Sequence, residues 1–223
     1  MSRRGARLLF LGLVLLAVGF GAAASRIYVK AWVAQRLLHR AWAATQAAGT
    51  PVKPWPWADT WPIARLSMPA RGIDLIVLAD ASGRSMAFGP GLVAGTAPPG
   101  TPGNTVLSGH RDTQFRFLRS LAPGDRLRLE DARGAWHDYA VSDALVVDAH
   151  AVEILWDTDD SLLTLVTCYP FDALVPGGPL RYVVRATALS AGRAASAGRG
   201  AQPDPGDRSA SGPAPARSPT PRA

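Results

Sequence analysis

The chain has 223 residues, 48% of them hydrophobic and 18% charged, with a net charge of +7 at neutral pH. The charge sits at the ends: residues 1–24 carry Arg3, Arg4 and Arg7 without an acid, residues 190–223 carry five arginines against Asp204 and Asp207, and +1 is left for residues 25–189. A basic balance confined to the termini removes the main support for a nucleic-acid-binding domain, and a single cysteine excludes an intramolecular disulfide framework.

Behind the basic start lies an uncharged apolar run of seventeen residues, 8–24. A membrane-spanning helix needs about 20 residues, with a range reaching down to about 17, so the run reads as a short N-terminal anchor. The positive-inside rule keeps the three arginines in the cytoplasm. Ala22-Ala23-Ala24 also fits a signal-peptidase site, and a cleaved signal peptide is the alternative. Both readings export the rest of the chain. Residues 25–49 are alanine-rich and free of proline, with Ile27, Val29, Trp32, Val33, Leu37, Leu38 and Trp42 at mixed three-to-four spacing. This is an amphipathic helix pattern, stopped by Gly49-Thr50-Pro51. Residues 51–62 hold four prolines and three tryptophans and can form neither helix nor central strand. An extended arm lying on the domain is expected there.

From residue 63 the pattern is β. Strands are expected at 63–68 and 73–78 around the Pro69-Ala70-Arg71-Gly72 turn, then at 104–108, 126–130, one or two within 135–148, 162–167 and 180–189. Residues 82–103 are rich in Gly and Pro and read as turns, with a short helical piece near 85–88. Residues 114–121 read as a connecting turn. Many short strands in about 130 residues with almost no helix suggest a single closed barrel. After Leu189 the composition collapses to Ala, Gly, Pro, Ser and Arg, which cannot offset the entropy of ordering, so a disordered tail is expected. The expected organisation is therefore an anchor at 1–24, a helical and Pro/Trp-rich segment at 25–62, a barrel at 63–189 and a tail at 190–223.

Cys168 ends the apolar run Leu162-Leu163-Thr164-Leu165-Val166-Thr167. Pro170, Pro176, Gly177, Gly178 and Pro179 then force a loop, and Arg181 opens the next strand pattern. A lone cysteine is most often a small buried hydrophobe, so a catalytic reading needs a base elsewhere. His110 supplies one, at the end of the short strand Asn104-Thr105-Val106-Leu107-Ser108 and beside Gly109. His137, in a polar hairpin edge, and His150, in a connection, read as solvent-facing; His39 lies mid-helix with no acid or cysteine near it. Asp112 could orient His110 in the manner of a triad. Four histidines and one cysteine show no paired ligand spacing, so neither a metal nor a cofactor is called for.

The residues TLVTC at 164–168 match the TLXTC motif of the sortases, a family of cysteine transpeptidases. The resemblance covers residues 60–189 and includes His110 after the GNTVLSG stretch and Arg181 thirteen positions after Cys168. The surrounding text, PWPWADTWPIARL and TCYPFDALVPGGPLRYVVRA, is similar to the Gram-negative class GN type. The resemblance implies an eight-stranded β-barrel, an all-β fold preceded by the membrane helix. It implies Cys168 as nucleophile, His110 as general acid then base, and Arg181 as donor to the oxyanion or to the peptide backbone of the substrate. Thr167 and Arg185 follow as candidate substrate contacts, and Arg185 and Arg111 stand in reserve for the arginine role. The implied partners are a target protein with an LPXTG-like sorting signal (a single dedicated one, as the class GN resemblance implies), an amine acceptor and the membrane. The implied location is single-pass in the inner membrane with the barrel outside the cytoplasm. Hydrolysis in place of amine transfer is an open alternative. A silent envelope barrel that binds a peptide is the alternative from another class, and an L,D-transpeptidase is disfavoured because its histidine-glycine-cysteine cluster is missing.

Overall fold

The computed structural model describes residues 3–150, 161–173, 175 and 177–189. The expected tail at 190–223 lies outside the described residues, as do residues 151–160, where the sequence has Asp157, Asp159 and Asp160 before the cysteine strand. One helix, α1, covers Arg3–Ala48. It crosses the boundary expected at residue 24 without a break. Among the described residues, no helix is long and apolar enough to cross a membrane. The helix stops at Gly49, whose φ of 66° suits a residue without a side chain and whose N–H donates to Thr45 O at 2.9 Å.

Eight strands follow: β1 Pro62–Met68, β2 Ile73–Leu78, β3 Gly91–Leu92, β4 Asn104–Ser108, β5 Arg126–Asp131, β6 Trp136–Asp148, β7 Leu162–Tyr169 and β8 Leu180–Ala188. They close into a barrel in the order β1-β2-β3-β4-β7-β8-β6-β5. Closure removes free sheet edges. Residues 135–148, expected as one or two strands, form the single β6, whose register shifts between Val141 and Asp143. Short 3-10 turns at Pro69–Arg71, Ser85–Ala87 and Arg116–Ser120 fall where turns or a short helical piece were expected.

Alternation along the strands sorts side chains into two clusters. Leu66, Val77, Leu107, Leu127, Leu129, Leu163, Leu165 and Val184 fill the barrel, joined by Phe115 and Leu118 from the loop after β4. On the outer face, Val106 of β4, Val166 of β7 and Val183 of β8 form a second cluster with Val93, Leu145 and Val147 beside it. A third cluster attaches the helix: Leu38 and Trp42, one turn apart, pack with Phe88 on Ile76 and Leu78 of β2. The Trp42 indole N–H adds a bond to Glu130 Oε2 at 3.3 Å. The Pro/Trp arm lies on this side too, with the Trp55 ring edge-on to Phe88 at 5.1 Å.

Candidate active site

The site is set by strand register. β4 and β7 run parallel, pairing Asn104 with Leu162 through Ser108 with Val166 at a constant offset. Beyond the last pair the two chains stay together: Gly109 N–H donates to Val166 O at 3.1 Å and the Thr167 hydroxyl donates to Gly109 O at 2.7 Å. Carried on by two residues, the same offset sets His110 level with Cys168. On its other side β7 runs antiparallel to β8, and there Cys168 pairs directly with Arg181. The segment just past β4 and the strands β7 and β8 thus present His110, Cys168 and Arg181 in one row.

Alternation also decides their face. Cys168 shares it with Val166, and Arg181 with Val183, so the row borders the outer apolar cluster of Val106, Val166 and Val183. Cys168 is a free thiol of intermediate exposure, and His110 is exposed. Among the described residues, neither the His110 ring nor the Cys168 thiol has a hydrogen-bond partner. The Arg181 guanidinium is turned onto its own loop, with Nη1 donating to Gly178 O at 2.8 Å and Leu180 O at 2.9 Å. A nucleophile, a base and a permanent cation side by side are the parts that acyl transfer from a peptide requires.

The two candidate substrate contacts are engaged elsewhere. Thr167 is buried and its hydroxyl is held by Gly109 O, so it ties β7 to the turn that carries His110. Arg185 grips Asp143 of β6 with two bonds of 2.9 and 2.7 Å, and this carboxylate, more than burial opposes, raises its pKa above the ordinary value. Asp112 lies 3.4 Å from Arg111 Nε rather than on His110. His137 is not a free surface histidine: its Nε2, near the start of β6, lies 3.1 Å from Oδ2 of Asp131 at the end of β5. His150 is exposed, and its own N–H caps Asp148 Oδ1 at 2.9 Å.

Arg111 carries a structural job that its position beside His110 does not announce. It is 4% exposed and donates to Pro170 O at 2.7 Å, Ala173 O at 2.7 Å and Val175 O at 3.3 Å. Those carbonyls belong to the loop that leaves Cys168, so one buried guanidinium fastens the segment after the base to the segment after the nucleophile. Under the loop, Tyr169 stacks on Tyr182 at 6.2 Å and Phe171 meets Tyr182 edge-on at 5.1 Å. These rings brace the ends of β7 and β8.

A family model described as a sortase domain matches residues 66–189. Among curated proteins, sortase D of Bacillus subtilis (strain 168) is 32% identical over 120 residues, which make up 53% of this chain and 60% of that protein. The chain therefore spans 60% of the length of the curated relative it matches. Among solved structures, sortase C-1 from Actinomyces oris is similar with a TM-score of 0.52 at 28% identity, over 58% of this chain and 75% of that one. Sortase A from Corynebacterium diphtheriae gives 0.53 at 26% identity, over 60% and 63%. A Clostridium perfringens sortase D5 transpeptidase gives 0.57 at 19% identity, over 71% and 99%, a likeness of fold.

Proposed function

Because the chain belongs to the sortase family, we propose that it is a cysteine transpeptidase working through Cys168, His110 and Arg181. The observation that carries this reading is the row itself: direct pairing of Cys168 with Arg181 across β7–β8, with His110 two residues past the last β4–β7 pair, Ser108 with Val166. The Cys168 thiolate attacks the scissile carbonyl of a sorting signal, and a tetrahedral oxyanion forms. Arg181, released from the Gly178 and Leu180 carbonyls, donates to that oxyanion or to the signal's backbone. The C–N bond breaks as protonated His110 gives its proton to the leaving amine, and a thioester remains on Cys168. An incoming amine loses its proton to His110 and attacks the thioester. The C–S bond breaks, and the thiolate returns. Water in place of the amine gives hydrolysis.

An LPXTG-like signal is the substrate this reading assigns, and its support is the match of the chain to the sortase domain over residues 66–189. The likeness of the sequence to the class GN type supports a single dedicated target protein. Membrane anchoring by the run at 8–24, with the barrel outside the cytoplasm, is part of this reading; its support is the apolar composition of that run behind three arginines.

One experiment tests both parts. Full-length protein mixed with lipid vesicles is given quenched peptides of the LPXTG type, and the vesicles are sedimented. Cleavage should sediment with the vesicles and be abolished by Cys168→Ala, while removal of residues 1–24 should leave cleavage in the supernatant. No cleavage across a panel of signals would instead favour a peptide-binding barrel without catalysis. Cleavage left in the supernatant by the full chain would remove the anchor from the reading.

A further inference from the structure

A second concavity lies on the other side of His110 from the thiol. Around the barrel, β4 has β7 and then β8 on one side, and β3 and then β2 on the other. Cys168 and Arg181 occupy the first side. On the second, a cavity of about 660 Å³ opens between β2, the Gly89-Pro90 approach to β3, and the turn that follows β4. Its floor is apolar, with Ile73, Leu75 and Phe117. Thr113 and Gln114 line its wall and belong to the turn that begins at His110, which is closed by Phe115 N–H donating to His110 O at 3.0 Å. The base and the cavity wall are therefore two ends of one five-residue turn, held from outside by Gln114 Nε2 donating to Met86 O at 3.1 Å.

The charge of this cavity is one-sided. Arg116 and Arg119 line it, both exposed, and no acidic residue does. The neighbouring cations are neutralised: Arg71 holds Asp125 at 2.9 Å and Arg65 holds Asp74 at 2.7 Å. Among the described residues, Arg116 and Arg119 have no ion-pair partner. Two unpaired guanidiniums in a partly apolar concavity select a carboxylate, which a guanidinium fork can bind through two oxygens.

We infer that this cavity is the acceptor site, and that the acceptor is an amine whose own chain carries a carboxylate gripped by Arg116 and Arg119. The inference rests on the transpeptidase reading, in which His110 takes the proton of the incoming amine. An acceptor held on the β2–β3 side reaches His110 and the thioester from the side opposite to β8. The sorting signal, on the outer face of β4, β7 and β8, does not have to leave first.

The test uses full-length protein in detergent with a cleavable signal peptide and oligoglycines of one to five residues, each as free acid and as C-terminal amide. Each pair is compared at equal concentration of unprotonated amine, so that its members differ in the carboxylate. At the length that spans the cavity, the free acid should be preferred about tenfold or more in acceptor kcat/KM, the scale of one charge-assisted hydrogen bond. Arg116→Gln with Arg119→Gln should erase the preference while the rate of thioester formation and the hydrolysis rate stay unchanged. Arg116→Glu with Arg119→Glu should turn the preference toward the amides. Equal use of acid and amide at every length by a protein that does form the thioester overturns the inference and leaves the transpeptidase reading intact. A preference that survives in the double Gln variant, or a slowed acylation step in that variant, overturns it as well. Failure of the wild-type chain to form any thioester overturns both.

Discussion

Arg111 is the side chain on which the geometry around Cys168 most depends. Its burial would be costly without partners, and the three loop carbonyls at Pro170, Ala173 and Val175 supply them, with Asp112 at the edge. Hydrogen bonds to a charged group are worth about 1.5–3 kcal/mol each. Arg111→Met should therefore lower the unfolding free energy in urea by about 1.5–3 kcal/mol or more and reduce peptide cleavage through a loosened loop. Arg111→Lys offers one compact ammonium in place of a planar fork and should fall between the two. An unchanged urea midpoint for Arg111→Met would show that the loop is held by something else. In the sequence, Arg111 reads only as a neighbour of His110 and a reserve for Arg181. Its burial depends on carbonyls up to 64 residues downstream, which no local pattern encodes. The placement of Cys168, His110 and Arg181 near strand ends was legible for the opposite reason: each stands at the end of a β-prone run next to residues that break strands.

At the scale of the element, the hairpin between β5 and β6 supports the approach to β4. Asp131 is buried in its turn, where Oδ1 accepts the N–H groups of Arg133 at 2.9 Å and Ala135 at 3.0 Å and Oδ2 faces His137. Burial pushes its carboxyl up, but the bonds from His137, Ala135 and Arg133 together outweigh it and hold the group below its ordinary range. The loop into β4 lies directly on this pair. Gly100, at φ 78°, is so close that a Cβ would sit 2.5 Å from His137 Nε2. A carboxyl whose folded pKa is depressed adds stability above its unfolded pKa of about 3.9, and that stability is lost as pH falls through the folded value. Asp131→Ala leaves two N–H donors of the turn without their acceptor, which costs about 1–3 kcal/mol. In urea melts the gap between wild type and Asp131→Ala should be wide at pH 7 and should narrow below about pH 4. A gap that stays constant down to pH 2 would contradict this role for the carboxylate.

The strands themselves were unevenly legible. β1, β2, β5, β7 and β8 carry apolar alternation or β-prone runs, and β4 a short one, Thr105-Val106-Leu107. β3 is only Gly91–Leu92 inside a stretch of Gly and Pro, too short to show a period, and it pairs because barrel closure needs a link between β2 and β4. In β6 the shift between Val141 and Asp143 breaks the alternation, which is why the sequence leaves one strand or two open there. The offset that aligns β4 with β7 could not be read at all. Parallel neighbours are joined through distant chain, and their register is set by packing of both faces.

Across the whole molecule, the helix and the row of site residues use different parts of one barrel. Leu38 and Trp42 seat α1 on β2, whereas His110 just past β4, Cys168 on β7 and Arg181 on β8 lie at the other site. The barrel is what makes this row possible, because closure puts β7 between β4 and β8 although residues far apart in the chain supply the three side chains. If the row is the acyl-transfer site, the thioester must form on Cys168 and on nothing else. The most direct measurement is the intact mass of the full-length protein after incubation with an LPXTG-type peptide without amine, followed by acid quenching and peptide mapping. The expected result is a mass gain equal to the acyl portion, located on Cys168, discharged by added oligoglycine and absent from Cys168→Ala. Peptide cleavage with no adduct, or the same adduct in Cys168→Ala, would contradict it.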